Sequence, residues 1–310
     1  MDSRGIDTRL VYGFLDAGKT GFIQDCVLSD YFDKYGVTLI LCFEEGEGEY
    51  DTQALAQKRT RVFVHDGEEP VEAFCLRAIE ECRPDRIYVE MNIMLPRLRE
   101  QLPACMRVTY VTTRIDADTL GLYYRNLRAQ LRQMVSESQQ VTFCGGLTRE
   151  ELAPFAQVFQ VMNPKASYLR QDPLGYHERA FDRFVPYSLD ASEIEISARE
   201  FIPLWLDASE HPEHYEGKTL YFTDALELRR LPGREALSAG RVVMACCMAD
   251  LQFMGFDLVP GDAPLPEGSW AAMDARAAVG TAEYGRRVVK LRPLKLRPAQ
   301  PPEQGILSPE

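Results

Sequence analysis

Residues 13–20 read GFLDAGKT and fit the spacing G-x-x-x-x-G-K-[ST], which is typical of loops that bind the phosphates of a nucleotide. Gly13 and Gly18 allow backbone turns that point N–H groups toward an anion. Lys19 would reach the β- and γ-phosphates, and the Thr20 hydroxyl would be a ligand for Mg²⁺. The alternative is a glycine-rich turn with a surface lysine. The sequence therefore predicts that GTP or ATP, with Mg²⁺, binds to Gly13, Asp16, Ala17, Gly18, Lys19 and Thr20.

A strand and a helix are predicted on either side of this loop. Residues 10–12 are apolar and short, as in a buried strand, and residues 21–28, GFIQDCVL, have helical spacing of their apolar side chains. The order strand, glycine-containing loop, helix is the structural context that the motif requires. The helix N-terminus would add partial positive charge at the phosphates.

A carboxylate ends a second apolar segment. Residues 85–90 read DRIYVE, so that Glu90 lies at the C-terminal end of a predicted buried strand. A catalytic carboxylate in that place, beside the loop strand, holds Mg²⁺ directly or through water, or positions the attacking water. The alternative is an acidic residue where a strand emerges into solvent. We predict the functional role, with Thr20 and Glu90 as the Mg²⁺ residues.

An acidic segment follows another predicted strand, residues 37–43. Residues 44–51 read EEGEGEYD, with five acids in eight positions, and such charges repel one another. A divalent cation with its preference for oxygen ligands would neutralise them, which makes Glu44 and Glu45 candidate metal ligands. A solvated mobile loop is an equally good interpretation. Beside a nucleotide, this segment would lie near the γ-phosphate and could act as a switch.

The first half of the chain alternates apolar strands with amphipathic helices, and this pattern is typical of a sheet covered on both faces. Further strands are predicted at 61–64, 86–91, 108–111, 141–144 and 166–169. Helices are predicted at 70–82, as one long helix at 118–135, and through 158. We therefore predict an α/β nucleotide-binding domain with a mostly parallel sheet over residues 1–168.

The pattern changes in the second half. Residues 171–196 are irregular, and we predict a linker over 169–198. Short segments broken by glycine and proline follow, and they predict an all-β sandwich or barrel over 199–310. The predicted strands of this domain are 201–206, 218–226, 240–249, 253–259, 269–277 and 286–296.

Composition limits the classes of function. The chain has 310 residues and a formal net charge of −12, and an acidic surface repels the phosphates of nucleic acids. The sequence contains no long apolar run that predicts a membrane span, and its first residues, MDSRGIDTRL, lack the apolar core of a signal peptide. Eight cysteines without a C-x-x-C pair favour a reducing, cytoplasmic location.

Two of these cysteines are adjacent. Cys246 and Cys247, with Asp250 close by, are candidate ligands for Zn²⁺, and His211 and His214 could complete the roughly four ligands of a closed site. Adjacent residues of a strand point to opposite faces, so both thiols reach one ion only if the strand bends. The alternative, which we favour from the sequence, is that both thiols are small apolar fillers of a packed strand.

These motifs together resemble the CobW-type metal-chaperone GTPases, which belong to the same broad group as the hydrogenase and urease maturation GTPases. The loop at 13–20 and the acid-ended strand that follows Pro84-Asp85 carry this resemblance. A bacterial subgroup found with predicted permeases is more similar, through EEGEGEYD at 44–51 and VMNPKA at 161–166. The second half resembles a small OB-like domain of permease-associated proteins, through HPEHYEGK at 211–218 and ACCMAD at 245–250.

The resemblance implies a P-loop NTPase domain fused to a small OB-like domain. It also implies a function that couples nucleotide state to metal handling, with a metalloprotein client, or to a membrane permease. The chain departs from the family at several positions. Asp16 stands where the family has glycine, Gly21 follows Thr20 in place of a second threonine, and no glycine follows Glu90.

Residues 141–146 lack the guanine-reading N-K-x-D, and the first half lacks the metal-binding C-x-C-C. Phosphate binding is therefore better supported than hydrolysis, and hydrolysis better than selectivity for guanine. A degenerate P-loop adaptor, with little or no hydrolysis, is the alternative function.

Overall fold

A computed structural model describes the chain over residues 5–15, 17–29, 36–44, 48–172, 175–181, 185–232, 236–244, 251–259, 267–282 and 285–309. The chain divides into two compact units. The first unit comprises Met1–Ala153 and Lys165–Phe181, and the second comprises Pro154–Pro164 and Asp182–Glu310. Each unit contains its own sheet.

The first unit is a mixed α/β structure. Its strands are β1 Ile6–Tyr12, β2 Thr38–Cys42, β3 Thr60–Val64, β4 Arg86–Glu90, β5 Met106–Asp116, β6 Gln140–Cys144, β7 Ser167–Gln171 and β8 His177–Arg179. Its helices are α1 Lys19–Leu28, α2 Thr52–Gln57, α3 Val71–Cys82, α4 Ala117–Asn126, α5 Arg128–Glu137 and α6 Arg149–Leu152, with a 3₁₀ turn at Leu98–Gln101. The predicted α/β class with a mostly parallel sheet is confirmed.

The sheet has the order β3-β2-β4-β1-β5-β6-β7-β8, and its pairings are parallel except that of β7 with β8. The central strand β1 pairs with β4 on one side and with β5 on the other. Because parallel strands end at the same edge, the loop after β1, Glu90 at the end of β4 and the segment after β2 meet there. This edge is where ligands bind in open α/β sheets.

Helix α1 is anchored on this sheet by a buried apolar cluster. Ile23 and Val27 of α1 pack with Val11, Ile40, Leu55 and Tyr88, which are all buried. Burying an aliphatic side chain of this size contributes roughly 1.5–3 kcal/mol. The N-terminus of α1 is thereby held at the end of β1.

The structure differs from the predicted elements of the first unit, and α2 at Thr52–Gln57 was not predicted. The single predicted helix 118–135 is two helices, α4 and α5, because Leu127 has φ −129° and ψ 41°, outside the helical region. The predicted linker 169–198 also contributes regular structure, since β7 and β8 complete the first sheet and β9 joins the second.

The second unit begins with an inserted helix. Its helices are α7 Ala156–Met162 and α8 Ala198–Glu210, with short 3₁₀ turns at Ala153–Phe155, which joins α6 to α7, and at Pro212–Tyr215. Its strands are β9 Glu193–Ile196, β10 Thr219–Phe222, β11 Leu226–Arg230, β12 Leu237–Val243, β13 Gln252–Leu258, β14 Trp270–Thr281, β15 Arg287–Ala299 and β16 Ile306–Leu307.

Five of these strands form a closed small barrel. The order is β11-β12-β13-β15-β14, and β14 pairs back with β11. The pairing of β13 with β15 is parallel, whereas the other four contacts of the ring are antiparallel. Strands β10 and β9 extend β14 outside the ring, and β16 pairs with β12.

The strand predicted at 201–206 is wrong, because these residues lie in α8. The segment is apolar at both odd and even positions, so its pattern alone does not separate a strand from a helix. The capping box of Ser197 and Glu200 starts a helix just before it, and Phe201, Leu204 and Leu206 are buried on that helix. Across the described ranges, no helix has the length and apolar character needed to cross a membrane.

The barrel depends on a close backbone contact between β12 and β13. Gly240 pairs with Gly255, and a Cβ added to Gly240 would lie 2.6 Å from the Cα of Gly255. We expect Gly240→Ala to lower the free energy of unfolding by about 3 kcal/mol, the upper range for overpacking. Both tryptophans of the chain, Trp205 and Trp270, lie in this unit, so urea unfolding followed by their fluorescence measures the effect.

Gly305→Ala is the matched control in the same unit, because no atom lies within 4 Å of an added Cβ there. Its unfolding midpoint should stay within about 0.5 kcal/mol of the wild type. Equal midpoints for both variants would contradict the close approach of β12 and β13.

Candidate functional site

The loop after β1 has a conformation that its two glycines permit. Gly18 precedes α1 with φ 72° and ψ 30°, in the left-handed region that favours glycine. A Cβ on Gly13 would lie 2.8 Å from the carbonyl oxygen of Arg114 and 3.2 Å from Cγ of Lys19. A larger residue at position 13 would therefore force the loop away from β5 or from the lysine.

Lys19, the first residue of α1, is buried, with 3% of its surface exposed. Its ammonium donates to the carbonyl oxygens of Phe14, at 2.9 Å, and Gly13, at 3.2 Å. It also forms an ion pair with the carboxylate of Glu44. The loop thus curls around the ammonium, and one carboxylate neutralises the charge. This burial disagrees with a turn that carries a surface lysine.

The described residues of the segment after β2, Glu44 and 48–51, include several that contact α1. Its first residue, Glu44, reaches Lys19, and a Cβ on Gly48 would lie 3.3 Å from Cβ of Thr20. At its end, the Asp51 N–H donates to the side chain of Gln24 at 2.7 Å. The Asp51 carboxylate also caps α2 by accepting from two backbone N–H groups. Both ends of the segment are therefore fixed against the loop helix.

Glu90 ends β4 and is buried, with 3% of its surface exposed. Its Oε1 accepts from the Thr20 hydroxyl at 3.0 Å, and its Oε2 accepts from the Tyr50 hydroxyl. This burial disagrees with the alternative interpretation, in which the Glu90 carboxylate emerges into solvent. The two hydroxyl donors stabilise a carboxylate that water does not solvate.

Burial and the charge of Glu90 raise the pKa values of two neighbouring side chains, Tyr50 and Cys42. Burial, followed by the Glu90 carboxylate, raises the pKa of the Tyr50 hydroxyl far above its ordinary value, so that Tyr50 remains a hydrogen-bond donor. The same two causes raise the pKa of the Cys42 thiol to about 12. Cys42 donates to the carbonyl oxygen of Glu44 at 2.9 Å and is therefore a neutral thiol.

A buried arginine supports the loop from β5. The guanidinium of Arg114 donates to the carbonyl oxygen of Ala17 at 3.3 Å and to the side chain of Gln171 at 2.7 Å, and it lies over the ring of Phe22. Burial lowers the pKa of Arg114. Its Nη1 has no hydrogen-bond partner in the described part of the chain. Arg114 thereby links the loop, α1 and β7.

The structure brings together the predicted residues of the loop and of β4. Gly13, Ala17, Gly18, Lys19, Thr20 and Glu90 lie at one edge of the sheet, and Glu44 contacts Lys19 there. The other predicted site residues lie outside the described residues, and these are Asp16, Glu45, Cys246 and Cys247.

Tyr50 and Arg114 are not among the predicted site residues. Tyr50 is the one aromatic residue of the acidic segment, and Arg114 is a charged residue near the end of β5. The predicted strand ends at residue 111, three residues before Arg114, so the signal that identified Glu90 did not reach it. The contact of Tyr50 with Glu90 depends on tertiary structure.

No protein-family model and no curated protein matches this chain. Two solved structures resemble part of it at low identity. The hydrogenase maturation factor HypB from Archaeoglobus fulgidus is 12% identical, with a TM-score of 0.39 over 54% of this chain and 82% of that chain. The Zn(II)-bound triple mutant of the YjiA GTPase is 15% identical, with a TM-score of 0.40 over 56% of this chain and 59% of that chain. Similarity at this level does not bear on the function of this chain.

Tyr50→Phe removes one of the two hydroxyl donors of the buried Glu90 carboxylate. We expect the free energy of unfolding of the protein without nucleotide to fall by about 2 kcal/mol, the range for a hydrogen bond to a charged group. Urea denaturation followed by circular dichroism measures this. Tyr176→Phe is the control in the same unit, because Tyr176 is 72% exposed, and it should unfold as the wild type does. Equal loss in both variants would contradict the assigned contact.

Proposed function

We propose that the first unit binds a nucleoside triphosphate together with Mg²⁺ and that it is a GTPase-like protein. The buried Lys19 ammonium carries this proposal. It lies at the first turn of α1 and donates to two carbonyl oxygens of the loop, and within the described part of the chain its carboxylate partner is Glu44 of the neighbouring segment. A helix N-terminus and a lysine ammonium next to backbone N–H groups form an anion site.

The residues at this edge fit a polyphosphate. The ammonium of Lys19 would exchange the Glu44 carboxylate for oxygens of the β- and γ-phosphates, so that one anion replaces another around a buried cation. The loop can approach the phosphates closely, because Gly13 and Gly18 carry no Cβ. Arg114 holds the loop in place through the carbonyl oxygen of Ala17.

Thr20 and Glu90 are the residues that would hold Mg²⁺. Their hydroxyl and carboxylate oxygens are the hard ligands that this ion prefers, and they already lie within 3.0 Å of each other. Bound Mg²⁺ would neutralise charge on the β- and γ-phosphates. The Tyr50 hydroxyl keeps the second oxygen of Glu90 in place, and this contact links the acidic segment to the same ion site.

Two departures from the family pattern bear on hydrolysis. The missing glycine after Glu90 and the acidic Asp16 favour the second candidate function, a degenerate P-loop adaptor that binds nucleotide weakly or not at all, with little or no hydrolysis. One observation also favours it, because Glu44 and Tyr50 already bind the two side chains that nucleotide and Mg²⁺ would need. Residues 141–146 supply no guanine-reading motif, so we propose no base preference.

The second unit is proposed to be an OB-like domain. Its first three barrel strands form a meander, the third pairs in parallel with the fifth, and the fourth closes on the first, as in a five-stranded OB barrel. The net charge of −12 argues against an oligonucleotide ligand. The resemblance to permease-associated proteins supports a metalloprotein client or a membrane permease as the partner of this protein in the cytoplasm.

Replacing Lys19 tests nucleotide binding. Calorimetry with GTP and with ATP, with and without Mg²⁺, should show binding to the wild type and at least a hundredfold weaker binding to Lys19→Ala, because the buried cation is removed. Lys19→Met retains most of the side-chain volume and should lose binding equally. Lys165→Ala, an exposed lysine of the same unit, should bind as the wild type does.

Phosphate release in the same proteins separates the two candidate functions. If the wild type releases phosphate and Lys19→Ala does not, the protein is a hydrolase. Binding without release in the wild type, or equal release in the wild type and Lys19→Ala, identifies the adaptor. A wild-type protein that binds neither nucleotide would refute the proposed nucleotide binding and leave the adaptor.

Glu44→Gln tests the competition for Lys19. Removing the anion that neutralises Lys19 should strengthen binding of the nucleotide about tenfold, equivalent to about 1.4 kcal/mol. Glu49→Gln is the control, because Glu49 is an exposed acid of the same segment, and it should change the affinity little. Weaker, Mg²⁺-dependent binding by Glu44→Gln would instead make Glu44 a ligand of the cation, as the acidic segment first suggests.

A further inference from the structure

A second cluster of ligand-type side chains lies in the second unit, after α8. His211 ends this helix, and its N–H donates to the carbonyl oxygen of Asp207 at 2.7 Å. Pro212 then starts the 3₁₀ turn Pro212–Tyr215, and the N–H of His214 donates to the carbonyl oxygen of His211 at 3.0 Å. This tight turn brings His211, Glu213 and His214 together at positions i, i+2 and i+3.

The three side chains converge. One ring nitrogen of each histidine and one carboxylate oxygen of Glu213 lie within 4.8 Å of one another. The carboxylate of Glu213 is 3.5 Å from Nδ1 of His211, and the two imidazole rings stack with centroids 4.9 Å apart. All three side chains are partly exposed, so a small ion can reach them from solvent.

His214 is held by a buried carboxylate. Oδ2 of Asp207 lies 2.9 Å from Nδ1 of His214, and Asp207 is 2% exposed. The same oxygen accepts from the hydroxyl of the buried Tyr215 at 2.8 Å, and Tyr187 extends this chain at 2.9 Å. A carboxylate at Nδ1 keeps the proton on that nitrogen, so that the lone pair is on Nε2. This is the arrangement of a carboxylate–histidine–metal triad.

We propose that His211, Glu213 and His214 bind a divalent transition-metal ion, Zn²⁺, and that Asp207 positions His214 for this role. Two histidines and one glutamate are a ligand set of open zinc sites, in which water completes the coordination. This ligand set includes neither Cys246, Cys247 nor any residue of the nucleotide loop, and the proposal does not rest on nucleotide binding.

The geometry of this cluster suits one shared cation. The two imidazole rings stack with centroids 4.9 Å apart, and the carboxylate of Glu213 lies 3.5 Å from Nδ1 of His211, where it would reduce the charge of a bound cation. Imidazole nitrogen ligands also favour Zn²⁺ over Mg²⁺, which prefers oxygen.

The experiment titrates the full-length, metal-free protein with Zn²⁺ by calorimetry, without nucleotide. His177→Ala is a matched control for His211→Ala and His214→Ala, because it also removes one of the four histidines of the chain but lies in the other unit. We expect each of the two site variants to weaken one Zn²⁺ event at least tenfold, and His177→Ala to retain it. Asp207→Asn should weaken the same event 10–100-fold, the usual effect of removing an outer-shell partner.

Co²⁺ as a second probe distinguishes histidine from cysteine ligands. The Co²⁺ complex should show ligand-field absorption without the charge-transfer absorption of a thiolate, and His211→Ala should abolish it. His211 is partly exposed, and an unchanged unfolding midpoint of the metal-free variant would show that the fold is retained. Undiminished Zn²⁺ binding in both His211→Ala and His214→Ala, or a thiolate absorption that persists in them, would overturn the proposal.

Discussion

The ammonium of Lys19 imposes the main constraint on the first unit. A charge that is 3% exposed must be neutralised and hydrogen-bonded, because burial of an unpaired charge costs several kcal/mol. The loop supplies two carbonyl oxygens, and the segment after β2 supplies Glu44. Loop curvature, the glycines at 13 and 18, and the path of the acidic segment all follow from this requirement. An anionic ligand satisfies the same requirement, which is why we regard the site as one for phosphate.

Much of this unit could be predicted from the sequence, because the determining patterns are local. The motif at 13–20 and the apolar strand that ends in Glu90 are readable from residue type and spacing alone. Parallel pairing then places both at one edge of the sheet. The ion pair of Lys19 with Glu44 and the contact of Tyr50 with Glu90 could not be predicted, since they join residues 25 and 40 positions apart through a loop whose path has no sequence signature.

The second unit shows where local patterns fail. The segment 201–206 is apolar at every position, and a strand and a buried helix explain it equally well. The capping box at Ser197 and Glu200 was the available signal for a helix. His211 and His214 were predicted as candidate ligands, but the error hid the contact of His214 with Asp207, because these two residues come together only when 198–210 is helical and a 3₁₀ turn follows. The cluster depends on tertiary structure and on side chains seven positions apart.

The strand pairings that close the barrel of the second unit differ in length. Strands β14 and β15 pair from Trp270 with Ala299 to Thr281 with Arg287, with one shift of register between Asp274 and Ala275. The ring is completed by only two register pairs between β11 and β14, Leu226 with Ala271 and Glu227 with Trp270. Local opening follows the region with the fewest backbone hydrogen bonds. The parallel contact of β13 with β15 is equally short in the described residues, with Asp257 opposite Lys290 and Leu258 opposite Leu291. These two contacts are therefore where the barrel should open first, while the longer β14–β15 pairing stays intact.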